Sequence, residues 1–120
     1  IADLGIELAD LGPGWCETRL ALRDDLMQQD GFAHAGVVTT LADHSCGMAA
    51  GTMSPADRKV LTVEFKVNLL RPGVASVLRC RADVVKPGRN ITVVEARVHG
   101  VEDSDAKLIA LMTATMALVA

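Results

Sequence analysis

One apolar run of this chain carries a carboxylate and two imidazoles, and these side chains are the ones best placed to do chemistry. The run His34–Met53, HAGVVTTLADHSCGMAAGTM, is rich in Ala, Gly and Ser and holds His34, Asp43 and His44. A carboxylate is seldom buried unless it is paired or used. The plain explanation of Asp43 is a helix-surface Asp satisfied by water or an arginine. The other explanation is catalysis. The start of such a helix, His34-Ala35-Gly36, offers backbone N–H groups with no intrahelical acceptor, at the positive end of the helix dipole. That end can hold a carbonyl oxygen as it becomes an oxyanion, which is what acyl transfer needs. Asp43 would act on the same carbonyl, as nucleophile or as base for a water.

Spacing constrains this chemistry. Ala35 and Asp43 are eight residues apart, about 12 Å along a helix axis at ~1.5 Å per residue. Both groups must lie within about 3–3.5 Å of one reacting centre. One helix cannot do this. Two helices running antiparallel across a two-fold axis could set Ala35 of one chain beside Asp43 of the other, giving two equivalent sites per dimer. The chemistry therefore predicts a homo-oligomer, either a dimer or a tetramer built as a dimer of dimers.

The elements that must position these groups follow from periodicity. Ile1–Leu11 reads as a short, partial amphipathic helix ended by Gly12-Pro13-Gly14. Trp15–Met27 alternates, with Cys16, Thr18, Leu20 and Leu22 set against Glu17, Arg19 and Arg23, the mark of a half-buried strand. His34–Met53 is apolar on most sides, so it reads as a buried helix. Four strands follow, Val60–Leu70, Val74–Val85, Ile91–His99 and Lys107–Val119, separated by Gly- and Pro-bearing turns. In the first of them Leu61, Val63, Phe65, Val67 and Leu69 oppose Thr62, Glu64, Lys66 and Asn68. Short connections favour antiparallel pairing. The expected fold class is α+β, an antiparallel sheet curled round one helix. The last strand is apolar on both faces, a second reason to expect an oligomer interface.

Composition excludes several functions. The 120 residues suit a single domain. Aromatics make up only 2% and the net charge is −3, so neither a base-stacking surface nor a broad basic patch for nucleic acid is expected. No apolar run reaches the ~18 residues of a membrane span. Cys16, Cys46 and Cys80 form no CxxC pair; an odd number of thiols reads as reduced and cytoplasmic. Nothing at the start resembles a signal peptide.

The run Gly31-Phe-Ala-His34-Ala35-Gly36-Val-Val-Thr-Thr-Leu-Ala-Asp43 resembles the "HGG…D" signature of hotdog-fold acyl-CoA thioesterases of the phenylacetate-degradation type. The resemblance extends over most of the chain, including Asn68-Leu-Leu-Arg-Pro72, the Lys86-Pro-Gly-Arg89 turn and the last strand from Lys107. It implies a hotdog fold and hydrolysis of an acyl-CoA to free acid and coenzyme A, with no cofactor and no metal. It also implies that Asp43 is the catalytic carboxylate, the Ala35 amide the oxyanion donor and His34 the support of that region. Gln28 falls where relatives place an Asn or Gln in the site, and Thr62 matches a hydroxyl residue that holds the attacking water. Gly36 continues the amide end of the helix. Ala35 stands where the family usually has Gly; its N–H remains, while its methyl crowds the thioester and forbids Gly-only torsions.

Lys86 and Arg89 flank a Gly turn and could meet the phosphates of coenzyme A as point charge and fork; solvated turn charges are the plain alternative. Asn68 and Arg71 are lesser candidates for the same task. His44 points about 100° away from Asp43 on a helix and reads as a structural histidine. Cys46 with His44 as its base fails on the same geometry. A metal site from His34, His44 and Asp43 lacks convergence. A hydratase on this fold would need a longer overhanging segment. From another class, a non-catalytic acyl-CoA sensor remains open at this stage; thiol release separates it from an enzyme.

Overall fold

Alternating residues decide which face of each strand meets the helix. In the computed structural model, which describes residues 4–28 and 31–120, Cys16, Thr18 and Leu20 of strand β2 (Trp15–Ala21) are buried. Against them lies helix α1 (Ala35–Gly51), whose Leu41, Ala42, Cys46, Ala49 and Ala50 are buried. The small residues let the sheet approach the helix backbone closely. Polar groups inside this contact are satisfied. Ser45 Oγ donates to Leu41 O at 2.7 Å and stands 2.7 Å from Thr18 Oγ1, so Thr18 is the donor of that second bond. A hydroxyl pair thereby fixes the helix on β2.

The remaining strands are β1 (Glu7–Gly12), β3 (Lys59–Leu69), β4 (Val77–Lys86), β5 (Ile91–Glu102) and β6 (Asp105–Val119). All pair antiparallel in one sheet of order β1-β2-β4-β5-β6-β3. The sheet curls round α1, the hotdog arrangement that the resemblance implied.

Two expectations need correction. The partial helix expected over Ile1–Leu11 is a strand from Glu7 onward; Ile1–Asp3 lie outside the described residues. Its amphipathic stretch is too short to hold a helix alone, and Pro13 with Gly14 at φ 81° closes a two-residue hairpin that pairs it with β2. The expected strand Val74–Val85 begins at Val77, because the turn after β3 runs on and buries Ala75. The two-faced last strand, β6, lies inside the sheet between β5 and β3, so the open edge beside the helix belongs to β3.

Strand β3 departs from simple alternation in one place. Thr62 pairs Met116 and Glu64 pairs Thr115, so Val63 is an extra residue, a β-bulge. Met116, Ala114, Met112 and Ala110 are buried against the helix. Cross-strand partners share a face, so Val60 and Thr62 point to the helix side before the bulge, and Phe65, Val67 and Leu69 after it. Glu64, Lys66 and Asn68 point to the outer face. Strict period-2 alternation would have turned Thr62 outward with them. The bulge turns it in.

Candidate active site

Asp43 lies in the middle of α1, half-buried, on the side toward β3. The inward Thr62 hydroxyl donates to Asp43 Oδ1 at 2.8 Å, with Met116 Sδ at 3.5 Å on its other side. Thr62 thus aims the carboxylate directly; the resemblance had assigned it to a water. Replacing Thr62 with Val removes this donor at constant shape. We expect kcat to fall about 10–100-fold with KM little changed, a charge-assisted bond being worth roughly 1.5–3 kcal/mol. Thr62→Ser should stay near wild type. Steady-state kinetics of the two variants checks this, and equal rates for all three proteins would remove Thr62 from the site.

The other candidate groups stand at the start of α1. His34 is its N-cap, in extended geometry at ψ 138°, with no capping bond from its side chain. Its N–H donates to Leu26 O at 3.0 Å, and its carbonyl accepts from Val37 and Val38. The exposed imidazole is therefore not the device that holds the helix start; the backbone is. Among the described residues the Ala35 and Gly36 amides find no acceptor, so both donors remain available to a ligand.

Ala35 and Gln28 line one cavity of about 300 Å³, walled by Phe32, Val38, Leu69, Leu70, Pro72 and Ile109. Gln28 is positioned by its backbone, which donates to Phe32 O at 2.6 Å and accepts from Gly31 at 3.0 Å. The wall is tied on by Ala33 N–H to Gly73 O, 3.0 Å. Any Cβ at residue 73 would come within 3.0 Å of the Ala33 Cβ, so only glycine allows this close approach without a shift. Asp43 and Thr62 do not line this cavity. Within one chain, the amide end of α1 and the Asp43 carboxylate lie apart, eight residues along the helix.

The remaining predicted residues divide between the two ends. The Lys86–Arg89 turn lies at the Asp43 end, since Gly88 N–H reaches Thr92 Oγ1 at 3.4 Å and Thr92 pairs Met116, the neighbour of Thr62. Both cations are exposed, and neither has an ion partner among the described residues. Asn68 points to the outer face, away from the cavity. Arg71, at the cavity rim, is better placed than Asn68 to meet a bound anion; the Arg-Pro-Gly turn signal in the sequence marked the bend but not the wall it builds.

Cysteine chemistry is excluded by burial. Cys46 is fully buried, and burial drives its thiol far above the usual range. Burial likewise pushes Cys16 up to about 11 and Cys80 up to about 12. No thiolate is available near neutral pH, so none can be a nucleophile. The native protein should leave all three thiols unreacted with a thiol reagent at pH 8, and react at all three once unfolded. Fast labelling of Cys46 in the native state would contradict this burial.

Comparison with known proteins fits this arrangement. The family profile described as the Thioesterase superfamily matches residues 30–107. The crystal structure of a thioesterase family protein from Silicibacter pomeroyi superposes with a TM-score of 0.96 at 43% identity, over 98% of this chain and 87% of that one. A thioesterase from Haemophilus influenzae superposes at 0.89 with 26% identity, over 98% of this chain and 80% of that one. In sequence, the 1,4-dihydroxy-2-naphthoyl-CoA hydrolase of Listeria monocytogenes is 25% identical over 115 residues, 96% of this chain and 91% of the relative. Fold, profile and relatives agree: the chain belongs to the thioesterase superfamily and is a thioester hydrolase of the hotdog fold.

Proposed function

We propose that residues 1–120 form one catalytic domain that hydrolyses an acyl-CoA thioester to the free acid and coenzyme A, on a site shared by two copies of the chain. The observation that carries this reading is the half-buried Asp43 carboxylate, held by Thr62 in a helix that carries no other acidic residue. The acyl carbonyl oxygen lies against the Ala35 amide, with Gly36 and the helix dipole behind it, and its negative charge grows there as the carbon becomes tetrahedral. Asp43 of the second copy either attacks the carbonyl carbon or takes a proton from the water that does. In both routes the C–S bond breaks, the thiolate of coenzyme A leaves and is protonated, and water supplies the oxygen of the acid. Gln28 orients the acyl group in the cavity, and His34, the N-cap of α1 tied by its N–H to Leu26 O, supports the amide end.

Lys86 and Arg89 meet the phosphates of coenzyme A from the Asp43 side. The three buried, reduced cysteines fit a cytoplasmic protein. Among the described residues, no helix is long and apolar enough to cross a membrane.

Release of coenzyme A thiol from a panel of aryl and aliphatic acyl-CoAs tests the reading. The named substrate of the Listeria relative puts aryl-CoAs first in that panel. Turnover by wild type that collapses in Asp43→Asn supports it. Tight acyl-CoA binding with no release from any member would favour a binding protein instead.

A further inference from the structure

The cavity at the start of α1 has a neighbour. A second cavity, of about 410 Å³, adjoins it, and Arg71, Pro72 and Ile109 line both. Arg71 and Pro72 are exposed, whereas Ile109 is only 3% exposed. The buried side chain is the partition between the two spaces. A Cβ on Gly73, which lines the first cavity, would lie 3.5 Å from Ile109 Cδ1. A Cβ on Gly100, which lines the second, would lie 3.6 Å from Ile109 Cγ2. One branch of the isoleucine thus rests against a glycine of each cavity.

The backbone fixes this side chain by an irregularity in β6. Val98 pairs Ala110 and His99 pairs Leu108, so Ile109 is an extra residue, a β-bulge. A regular strand would send Ile109 and Ala110 to opposite faces; here both are buried. The Ile109 carbonyl accepts the Leu70 N–H at 2.8 Å, which ties the turn after β3 to the bulge. The two spaces differ in chemistry. The first is walled mainly by apolar side chains, while the second also carries the exposed Glu102, Asp105 and Lys107. At about 300 Å³ the first cavity stands at the small end of ligand pockets, which run roughly 300–1,000 Å³. An acyl chain that filled it could stay inside the protein only by passing Ile109.

We infer that Ile109 is the stop that sets acyl length in this enzyme, closing the first cavity against the second and confining the substrate to a compact acyl group, a single ring or a short chain. The inference rests on the acyl-CoA reading proposed above and deepens it by naming the acyl class.

The test is kcat/KM along the straight-chain series from acetyl-CoA to dodecanoyl-CoA, for wild type, Ile109→Val and Ile109→Ala. In wild type kcat/KM should rise about four-fold per methylene while the chain fits, then turn down once the cavity is full. Ile109→Val removes Cδ1, and Ile109→Ala removes both branches. Each should move the turning point to longer chains, the alanine further. For the first chain that wild type rejects, kcat/KM relative to acetyl-CoA should rise about 10–100-fold in Ile109→Ala. Ile109→Val keeps most of the buried volume, so the comparison stands even where the alanine variant melts too low to assay. Variants that lose activity equally at every length, or whose turning point stays at the wild-type length, overturn the stop, and so does a wild type with no turning point. Release of no thiol from any acyl-CoA by any of the three proteins would instead overturn the acyl-CoA reading, and the stop with it.

Discussion

Asp43→Asn should reduce kcat by about 10²–10⁴-fold while leaving KM and melting temperature close to wild type, the range expected for loss of a positioned acid–base group or nucleophile. The asparagine side chain has the same shape, and its amide oxygen can still accept the Thr62 hydroxyl that Asp43 Oδ1 accepts at 2.8 Å. What it loses is the ability to attack or to take a proton. The pattern of a lowered kcat at constant KM therefore marks a group used in the transition state rather than in binding. A fall in stability with unchanged kcat would instead make Asp43 a structural residue. Kinetics and thermal melts on the same sample separate the two.

Ala35→Pro is the matching change at the other half-site. Ala35 is the first residue of α1, where proline is tolerated because its N–H has no intrahelical acceptor. The residue before it, His34, already has φ −59° and ψ 138°, the extended geometry that a following proline requires. The substitution should therefore delete one N–H and little else. If that N–H holds the oxyanion, kcat should drop about 10²–10³-fold, with circular dichroism unchanged. Wild-type turnover in Ala35→Pro would move the oxyanion contact elsewhere, with the Gly36 amide the next donor along. Ala35 is exposed and lines the cavity, so its side of the helix start is open to a ligand.

Much of this was legible in the sequence, for local reasons. The helix Ala35–Gly51, its starting amides and Asp43 lie within one continuous segment, and its apolar, small-residue character identifies it as buried. The half-buried strands β2, β4 and β5 alternate cleanly. What could not be read was set by contacts distant in the chain. The bulge at Val63 leaves no mark in a segment whose residues alternate without a break, yet it alone turns Thr62 toward Asp43. Strand β1 looked helical because a short amphipathic stretch fits either period, and only pairing with β2 decides. The cavity is walled by Leu69, Leu70, Pro72 and Ile109, which come from a turn and a strand far from Gln28 and Ala35. Strand order, too, depends on long-range pairing: it places the apolar β6 inside the sheet and leaves β3 at the edge.

Mixing the two inactive variants tests the shared site most directly. Chains carrying Asp43→Asn and chains carrying Ala35→Pro are unfolded together, refolded at equal amounts, and assayed for thiol release. Random pairing makes half the dimers mixed, and each mixed dimer holds one site with both groups intact and one with neither. Activity should therefore recover to about a quarter of wild type, from two parents that are each nearly inactive. A mixture as inactive as its parents, although the chains demonstrably associate, would mean that Ala35 and Asp43 of one chain serve the same site and would contradict the account.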